Sequence, residues 1–429
     1  MNFIEVTAYL NSFINYESSL HKIKAEQFSL NGIKALMHAL GNPQDNLRIV
    51  HVAGTKGKGS VSAMTASILK EAGYKVGLYT SPHLNNLRER IRILVLDKNS
   101  ISDVDDIFLD SITENELFNI LEEIKLKIDQ VRAAQPLTFF EVLTAISLYY
   151  FSKENVDFVV LETGLGGRLD ATNVVKSEVA VVTPISLEHT NILGNNLKEI
   201  VIEKAAIIKD KGQKVVLSPQ EKEIKDILID RCNKFSIKPF CVDKDKVDNL
   251  EISLLGKHQK INAAVSIGII NALIENGFDI KENAIRQGLK NLFWPGRFEV
   301  MKKDGFTIVL DCAHNVDSMK TVVETIKENF SPCKVVAVLG LSADKDRVGI
   351  CQELNNISDE IIATRSQHPR AYSFNVDELK SLFKGKSCSI IYDIKDALEE
   401  AQNKADHKSV ILVTGSLFVV NEARQLCIN

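Results

Sequence analysis

The sequence predicts an α/β protein of two domains, each built around a largely parallel sheet. Three observations predict it. A short apolar strand at 47–53 runs directly into the glycine-rich loop Gly54-Thr55-Lys56-Gly57-Lys58-Gly59-Ser60, and a helical pattern starts at once. Strands and helices then alternate, with connections long enough for parallel crossovers. After Pro295-Gly296 the alternation restarts and continues to the C-terminal region. The expected fold class is α/β, with a P-loop-containing parallel-sheet ATPase domain over residues 1–297 followed by a smaller Rossmann-like α/β domain over residues 298–429.

Taken in order, residues 1–46 read as helical. Tyr9, Leu10, Phe13 and Ile14 give one apolar face, and Leu30, Ile33, Leu36, Met37 and Leu40 give a second. Gly41-Asn42-Pro43 ends that pattern. Behind the glycine loop, Val61 to Ala72 reads as a helix stopped by Gly73. Lys75 to Tyr79 is the next strand. It runs into Thr80-Ser81-Pro82-His83-Leu84, a polar tip of the kind that binds ligands in open α/β sheets. Residues 85–92, NNLRERIR, read either as a solvated charged turn or as an anion clamp. Residues 97–116 are acidic and irregular and read as a surface insertion or a mobile lobe. Leu117, Leu121, Ile124, Ile128 and Val131 then line one face of an amphipathic helix, and 138–151 reads as another.

Asp157 to Glu162 is a strand ending in a carboxylate. The loop after it carries Gly164, Gly166 and Gly167, a backbone that bends or is closely approached. Val179 to Thr183 is a strand leading past Pro184 to Glu188-His189-Thr190-Asn191, and 197–209 is a helix with Lys204 in its middle. Another strand is expected at 215–217, no clear pattern at 220–255, and a helix through Asn262. In the second domain, strands are expected at 307–311, 334–339, 360–364, 389–392 and 409–414, with helices at 316–329, 376–383 and 395–405.

Composition narrows the class of protein. Apolar content of 45% and charged content of 25% suit a globular chain, and a formal charge of -4 gives no general attraction to nucleic acid. No apolar run is long enough to span a membrane, and the first residues do not resemble a secretory signal. Seven scattered cysteines without a CxxC pair fit a reducing, cytoplasmic setting.

A strand, a glycine turn and a helix N-terminus together make a phosphate site, because glycines let amides crowd the anion and the first helical turn adds unpaired donors. Lys58 can reach outer phosphates and Ser60 can offer a hydroxyl to magnesium. The spacing departs from Walker A, since Gly59 separates Lys58 from Ser60, and a tight structural turn is the alternative. Ser60, Ser81, Glu162 and His189 all lie at strand ends or in adjoining loops, and strand ends of one polarity share one sheet edge. Magnesium prefers oxygen ligands and leaves room for phosphate. Lys204 reads as a surface lysine paired with a neighbour or as a phosphate contact; sequence physics alone does not select a carbamate there. In the second domain Asp311 and His314 stand three apart at a strand tip, and Gly340–Asp346 and Thr414–Leu417 end two further strands.

These residues carry a resemblance. GTKGKGS (54–60), TSPHL (80–84), RERIR (88–92), LETGLGGRLDATN (161–173), EHTNILG (188–194), EKAAIIK (203–209), WPGRF (294–298), DCAHN (311–315) and TGSL (414–417) occur in order along nearly the whole chain. The set resembles the folate-processing branch of the Mur-type amide ligases, the folylpolyglutamate and dihydrofolate synthases. The resemblance implies ATP-dependent ligation of L-glutamate to the carboxylate of a folate or of dihydropteroate, through an acyl phosphate, by a monomer with no nucleic-acid or membrane partner. It implies nucleotide contacts from Gly54, Thr55, Lys56, Gly57, Lys58, Gly59, Ser60, Asn262, Arg297, Asp311 and His314, the last four across an interdomain cleft. It implies two magnesium ions near Ser60, Ser81, Glu162 and His189, catalytic roles for Lys58, Glu162, His189 and Lys204, and a carbamate on Lys204. Ser416 is a weaker candidate near the same cleft. Glu188 and Cys312 depart from the family pattern, where aspartate and glycine are common. A ligase of the same chemistry for another pterin-like acid and a P-loop ATPase without ligase activity are the alternatives.

Overall fold

The structure, a computed structural model, describes residues 3–18, 27–96, 107–243, 250–303, 305–331 and 333–428. They form two compact units. The first runs to Ser253 and includes Gln259–Leu292; the second comprises Leu254–His258 and the chain from Phe293 onward.

The first unit is organised by seven strands: β1 (Ile49–Ala53), β2 (Val76–Tyr79), β3 (Ile91–Leu94), β4 (Phe158–Glu162), β5 (Val179–Val182), β6 (Lys214–Leu217) and β7 (Phe240–Cys241), in the order β3-β2-β4-β1-β5-β6-β7. All neighbours are parallel except β2 and β3. Every residue of β1, β2, β4 and β5 is buried. Such nearly continuous apolar runs, interrupted only by His51 in β1 and Glu162 at the end of β4, are what a parallel sheet covered on both faces requires. One core cluster joins Ile33, Leu36, Leu121, Ile146, Val159 and Leu161; another joins Ala180, Val182, Ile200, Val215 and Leu228.

The helix behind the glycine loop, Lys58–Glu71, is buried at every position from Ser60 to Leu69. It is enclosed because a second helix, Glu282–Lys290, packs closely against it. Gly288 makes that approach possible: a Cβ there would lie 2.5 Å from the Cα of Ile68, and the Gly288 carbonyl accepts a bond from the Ser67 hydroxyl at 2.8 Å.

The charged stretch at 85–92 is neither a solvated turn nor an anion clamp. It forms a short 3-10 turn, Leu87–Arg90, followed by β3, and Arg88, Glu89, Arg90 and Arg92 are all buried. Buried charge needs partners, and they are internal. Arg90 grips both oxygens of Glu17 at 2.7 Å and donates to His83 Nδ1 at 2.9 Å. Arg92 holds Asp110 at 2.7 and 2.9 Å. Glu89 accepts the amides of Leu84, Asn85 and Asn86 at 2.7–2.9 Å. Of the expected insertion at 97–116, residues 97–106 lie outside the described residues. The remainder packs inward through Phe108 and Ile112 and begins the helix Glu114–Ala134. The unassigned 220–255 region holds the helix Lys222–Asn233 and β7.

The second unit has six strands, β8 (Glu299–Lys303), β9 (Phe306–Asp311), β10 (Val335–Leu339), β11 (Glu360–Ala363), β12 (Ser387–Ile390) and β13 (Ser409–Thr414), ordered β12-β11-β10-β13-β9-β8. Its sheet is parallel apart from the β8–β9 hairpin. Sequence pattern does not reveal β8, because this edge strand is only partly buried and carries Lys302 and Lys303 exposed. The helices Arg347–Asn355 and Leu417–Ile428 are also additions to the expected list.

Gly288→Ala should push the Glu282–Lys290 helix away from Ile68. We expect a loss of about 1–3 kcal/mol from overpacking, read as a lowered midpoint in urea unfolding. An unchanged midpoint would contradict the close helix approach.

Candidate functional site

The strand order places four loops side by side at one edge of the first unit. Ser81 follows β2, Glu162 ends β4, the glycine loop follows β1, and the Pro184–His189 segment follows β5, with β2-β4-β1-β5 adjacent in the sheet. This C-terminal edge is where open α/β sheets bind ligands.

Gly57 caps the loop helix with φ of +80°, a conformation glycine adopts without penalty. A Cβ at Gly57 would collide with Asn262 Oδ1, so this position and Asn262 approach closely. The amides of Lys58, Gly59 and Ser60 open the helix and therefore lack a partner one turn earlier. Thr55 and Lys56 differ from that expectation of free donors. Their amides both point to the Pro184 carbonyl, at 3.0 and 3.2 Å. The Thr55 hydroxyl bonds the Ser186 carbonyl at 3.1 Å and accepts the Ser186 amide at 3.2 Å. The segment after β5 thus holds the first half of the glycine loop. In the sequence Pro184 marks only a strand end, and the polar residues Thr183 and Ser186 beside it are the available signal.

Lys204 is not a surface lysine. It is 2% exposed, and its Nζ donates to the Gly54 carbonyl at 2.7 Å. Burial, reinforced by the nearby positive charge of Lys58, brings its pKa down to about 7, while Glu188 and Asp170 oppose the shift. Its helix is packed against the glycine-rich loop after β4. A Cβ on Gly167 would lie 2.8 Å from the Glu203 carbonyl and 2.9 Å from that of Lys204. Arg168 bonds Glu203 through its amide and its guanidinium, both at 2.8 Å. Lys209 returns to Asn173, reaching its carbonyl at 2.5 Å and its side-chain oxygen at 2.9 Å. Within the loop, Asp170 accepts the Leu165 amide at 2.7 Å and the Thr172 hydroxyl at 2.5 Å, and Thr172 meets His51 at 2.8 Å.

Glu162 is 4% exposed, and its Oε2 accepts the Ser81 amide at 3.1 Å, so these two candidates are joined. Ser60 is also buried. His189 has a left-handed backbone, φ +50°, and lies 4.0 Å from the Glu188 carboxylate. That separation is too long for a hydrogen bond. Among the described residues no three His, Cys, Asp or Glu side chains gather as a metal-binding group.

The second unit carries its own cluster. Asp311 accepts the amides of Phe298 and Ala313, each at 2.8 Å. The expectation that it turns outward with His314 is therefore modified: both of its oxygens already tie WPGRF to DCAHN. Burial pushes its pKa up to about 6, with Arg297 pulling the other way. His314 Nδ1 is 2.9 Å from the Cys312 carbonyl, which places a proton on that nitrogen. Cys312 is buried, and burial pushes its thiol up to about 12. Ser416 is buried and its hydroxyl accepts the Phe418 amide at 3.3 Å.

Residues 296–417 match the family described as Mur ligase, glutamate ligase domain. A phosphate loop on a parallel sheet joined to such a domain defines the class, an ATP-using Mur-type ligase. Over 423 residues the chain is 34% identical to the dihydrofolate synthase/folylpolyglutamate synthase of Bacillus subtilis, covering 92% of this chain and 94% of that protein. The crystal structure of folylpolyglutamate synthase from Thermotoga maritima superposes with a TM-score of 0.82 at 32% identity, covering 100% of this chain and 97% of that one. An Escherichia coli structure in complex with DHPP and ADP matches with a TM-score of 0.81 at 27% identity, covering 99% and 97%. The chain belongs to the folylpolyglutamate synthase/dihydrofolate synthase family.

The buried amine has a consequence for stability. Lys204 in the folded chain gives up its proton near pH 7, whereas in the unfolded chain it keeps it to about 10.5. Between those values the unfolded state binds more protons, so stability rises with pH. In CO2-free buffer we expect the wild type to gain about 2 kcal/mol relative to Lys204→Met between pH 7 and 9, at ~1.4 kcal/mol per pH unit. Parallel stability curves for the two proteins would show that Lys204 titrates normally.

Proposed function

We propose that this chain ligates L-glutamate to the carboxylate of a folate at the expense of ATP, releasing ADP and phosphate. The acceptor is a tetrahydrofolate, dihydropteroate, or both. Full-length similarity to the named synthases supports the reaction, and the buried Lys204 amine on the phosphate-loop carbonyl is the observation that carries the site.

The chemistry follows from a poor leaving group. A carboxylate oxygen attacks the γ-phosphorus, ADP departs, and an acyl phosphate forms. The glutamate amine then attacks the acyl carbon, and phosphate leaves with the original carboxylate oxygen. The amides at the start of the Lys58–Glu71 helix face the phosphates, and Lys58 offsets their charge. The loop stays in shape because Pro184, Ser186 and Lys204 bond its backbone and the Thr55 side chain.

Magnesium fits the donors present. Ser60 and Ser81 offer hydroxyls, Glu162 offers a carboxylate already set beside Ser81, and His189 is the one nitrogen donor. Such a site is completed by phosphate oxygens and water, which suits a location without an all-protein acidic cage. When bound, magnesium draws charge from the phosphate. Lys204 with a pKa near 7 is an amine that holds its proton loosely, the form that adds CO2 to give a carbamate and release a proton. In this reading the carbamate places an anion beside the phosphate loop. Asn262, lying against Gly57, is a further nucleotide contact; Arg297, Asp311 and His314 are the nucleotide-binding candidates that the second unit carries.

With ATP, L-glutamate and either tetrahydrofolate or dihydropteroate, ADP release should require both the acid and glutamate, and mass analysis should find the acid extended by one glutamyl residue. ATP turnover independent of both would contradict ligation. Lys58→Ala should lower kcat/KM roughly 100-fold or more, the scale of losing a group that stabilises transition-state charge. Glu162→Gln should lose rate with little change in melting temperature; full activity in either variant would remove that residue from the site.

A further inference from the structure

The glycine loop is held by the segment after β5, and one side chain holds that segment in turn. Gln220, on the turn following β6, uses its whole amide group. Its Nε2 donates to the Thr183 carbonyl at 3.0 Å and to the Ser218 hydroxyl at 2.9 Å, and its Oε1 accepts the Ile185 amide at 3.1 Å. Strand pairing between β5 and β6 has just ended there: the last backbone contact is the Ser218 amide on the Val182 carbonyl at 3.0 Å. Gln220 extends the pairing one step beyond the strands.

The four residues 183–186 leave the sheet beside β1, where the Thr183 amide donates to the Ala53 carbonyl at 2.8 Å, and then face two ways. The Thr183 carbonyl and the Ile185 amide turn to Gln220. The Pro184 carbonyl takes the Thr55 and Lys56 amides, and the Ser186 backbone brackets the Thr55 hydroxyl. Pro184 has no amide hydrogen of its own, so its position rests on its neighbours. Two and three residues past Ser186 come Glu188 and His189. Gln220 is only partly buried, so its amide and not core packing accounts for its place.

We infer that Gln220 is a positioning residue for the nucleotide. It fixes the Thr183–Ser186 segment, which fixes the first half of the phosphate loop, which aims the amides of Lys58, Gly59 and Ser60. The inference rests on the reading that this loop binds ATP. Without the Gln220 amide, the Thr183 carbonyl and Ile185 amide turn to water and the loop loses its fixed backstop.

The test uses the full chain and ADP as the probe. Gln220→Leu keeps the volume and removes all three bonds; Gln220→Glu keeps an acceptor but sets a carboxylate oxygen against the Thr183 carbonyl. Calorimetric titration should show ADP affinity weakened roughly 10-fold in both, about 1.4 kcal/mol. The KM for ATP should rise in step while the KM for L-glutamate stays within twofold. ADP affinity and ATP KM within twofold of wild type, with only a lowered melting temperature, would overturn the inference and leave the ligase reading intact. If Gln220→Leu does not fold, Gln220→Glu decides by the same two readouts. A wild-type chain that binds no ADP overturns both.

Discussion

The bond from Lys204 to the Gly54 carbonyl is the constraint on which the site depends. An ammonium group buried to this degree would be costly without a counter-charge. The structure resolves the cost by lowering the amine's affinity for its proton, so that near neutrality it sits on the loop as a neutral or half-protonated donor. One end of the interaction is the first residue of the phosphate loop. The other is a helix, Leu197–Ala205, locked to the glycine-rich string after β4 by Gly167 and Arg168, with Lys209 just beyond it bonded to Asn173. Two of the most distinctive stretches of the sequence therefore meet through one side chain.

That meeting explains why the glycines are where they are. Gly57 turns the chain into its helix in a conformation with positive φ. Gly167 and Gly288 have no such need; each leaves room for another helix, at Glu203–Lys204 and at Ile68. The phosphate-loop helix is thereby enclosed over ten consecutive positions and the loop is mounted on a rigid element. Rigid mounting matters for phosphoryl transfer, where positioning and charge stabilisation supply most of the catalysis.

Much of this was legible in the sequence, for identifiable reasons. Fully buried parallel strands are nearly continuous apolar runs, and β1, β4, β5, β10 and β13 read accordingly, with His51 inside β1 and polar residues at the ends of β4 and β13. Glycine clusters marked the close approaches at Gly57 and Gly167, while the isolated Gly288 did not stand out. The edge strands β3 and β8 were not legible, because β3 is only four residues long and continues the charged run with Arg92, and β8 carries exposed lysines. The arginines at 88, 90 and 92 misread as solvent-facing or ligand-facing because their partners Glu17 and Asp110 are distant in sequence. The same limit hid the depth of Lys204 and the role of Pro184. A helical lysine and a proline at a strand end have ordinary local readings, and only the sheet order brings them to the loop. Asp311 kept its place at a strand tip, but its carboxylate serves the backbone of Phe298 and Ala313 as well as any ligand.

The central claim is that this edge activates a carboxylate by phosphorylating it. The most direct measurement follows oxygen-18 placed in the acceptor carboxylate through a turnover with ATP and L-glutamate. Transfer through an acyl phosphate predicts that the inorganic phosphate released carries one labelled oxygen for each amide formed. Amide formation with unlabelled phosphate would contradict the account.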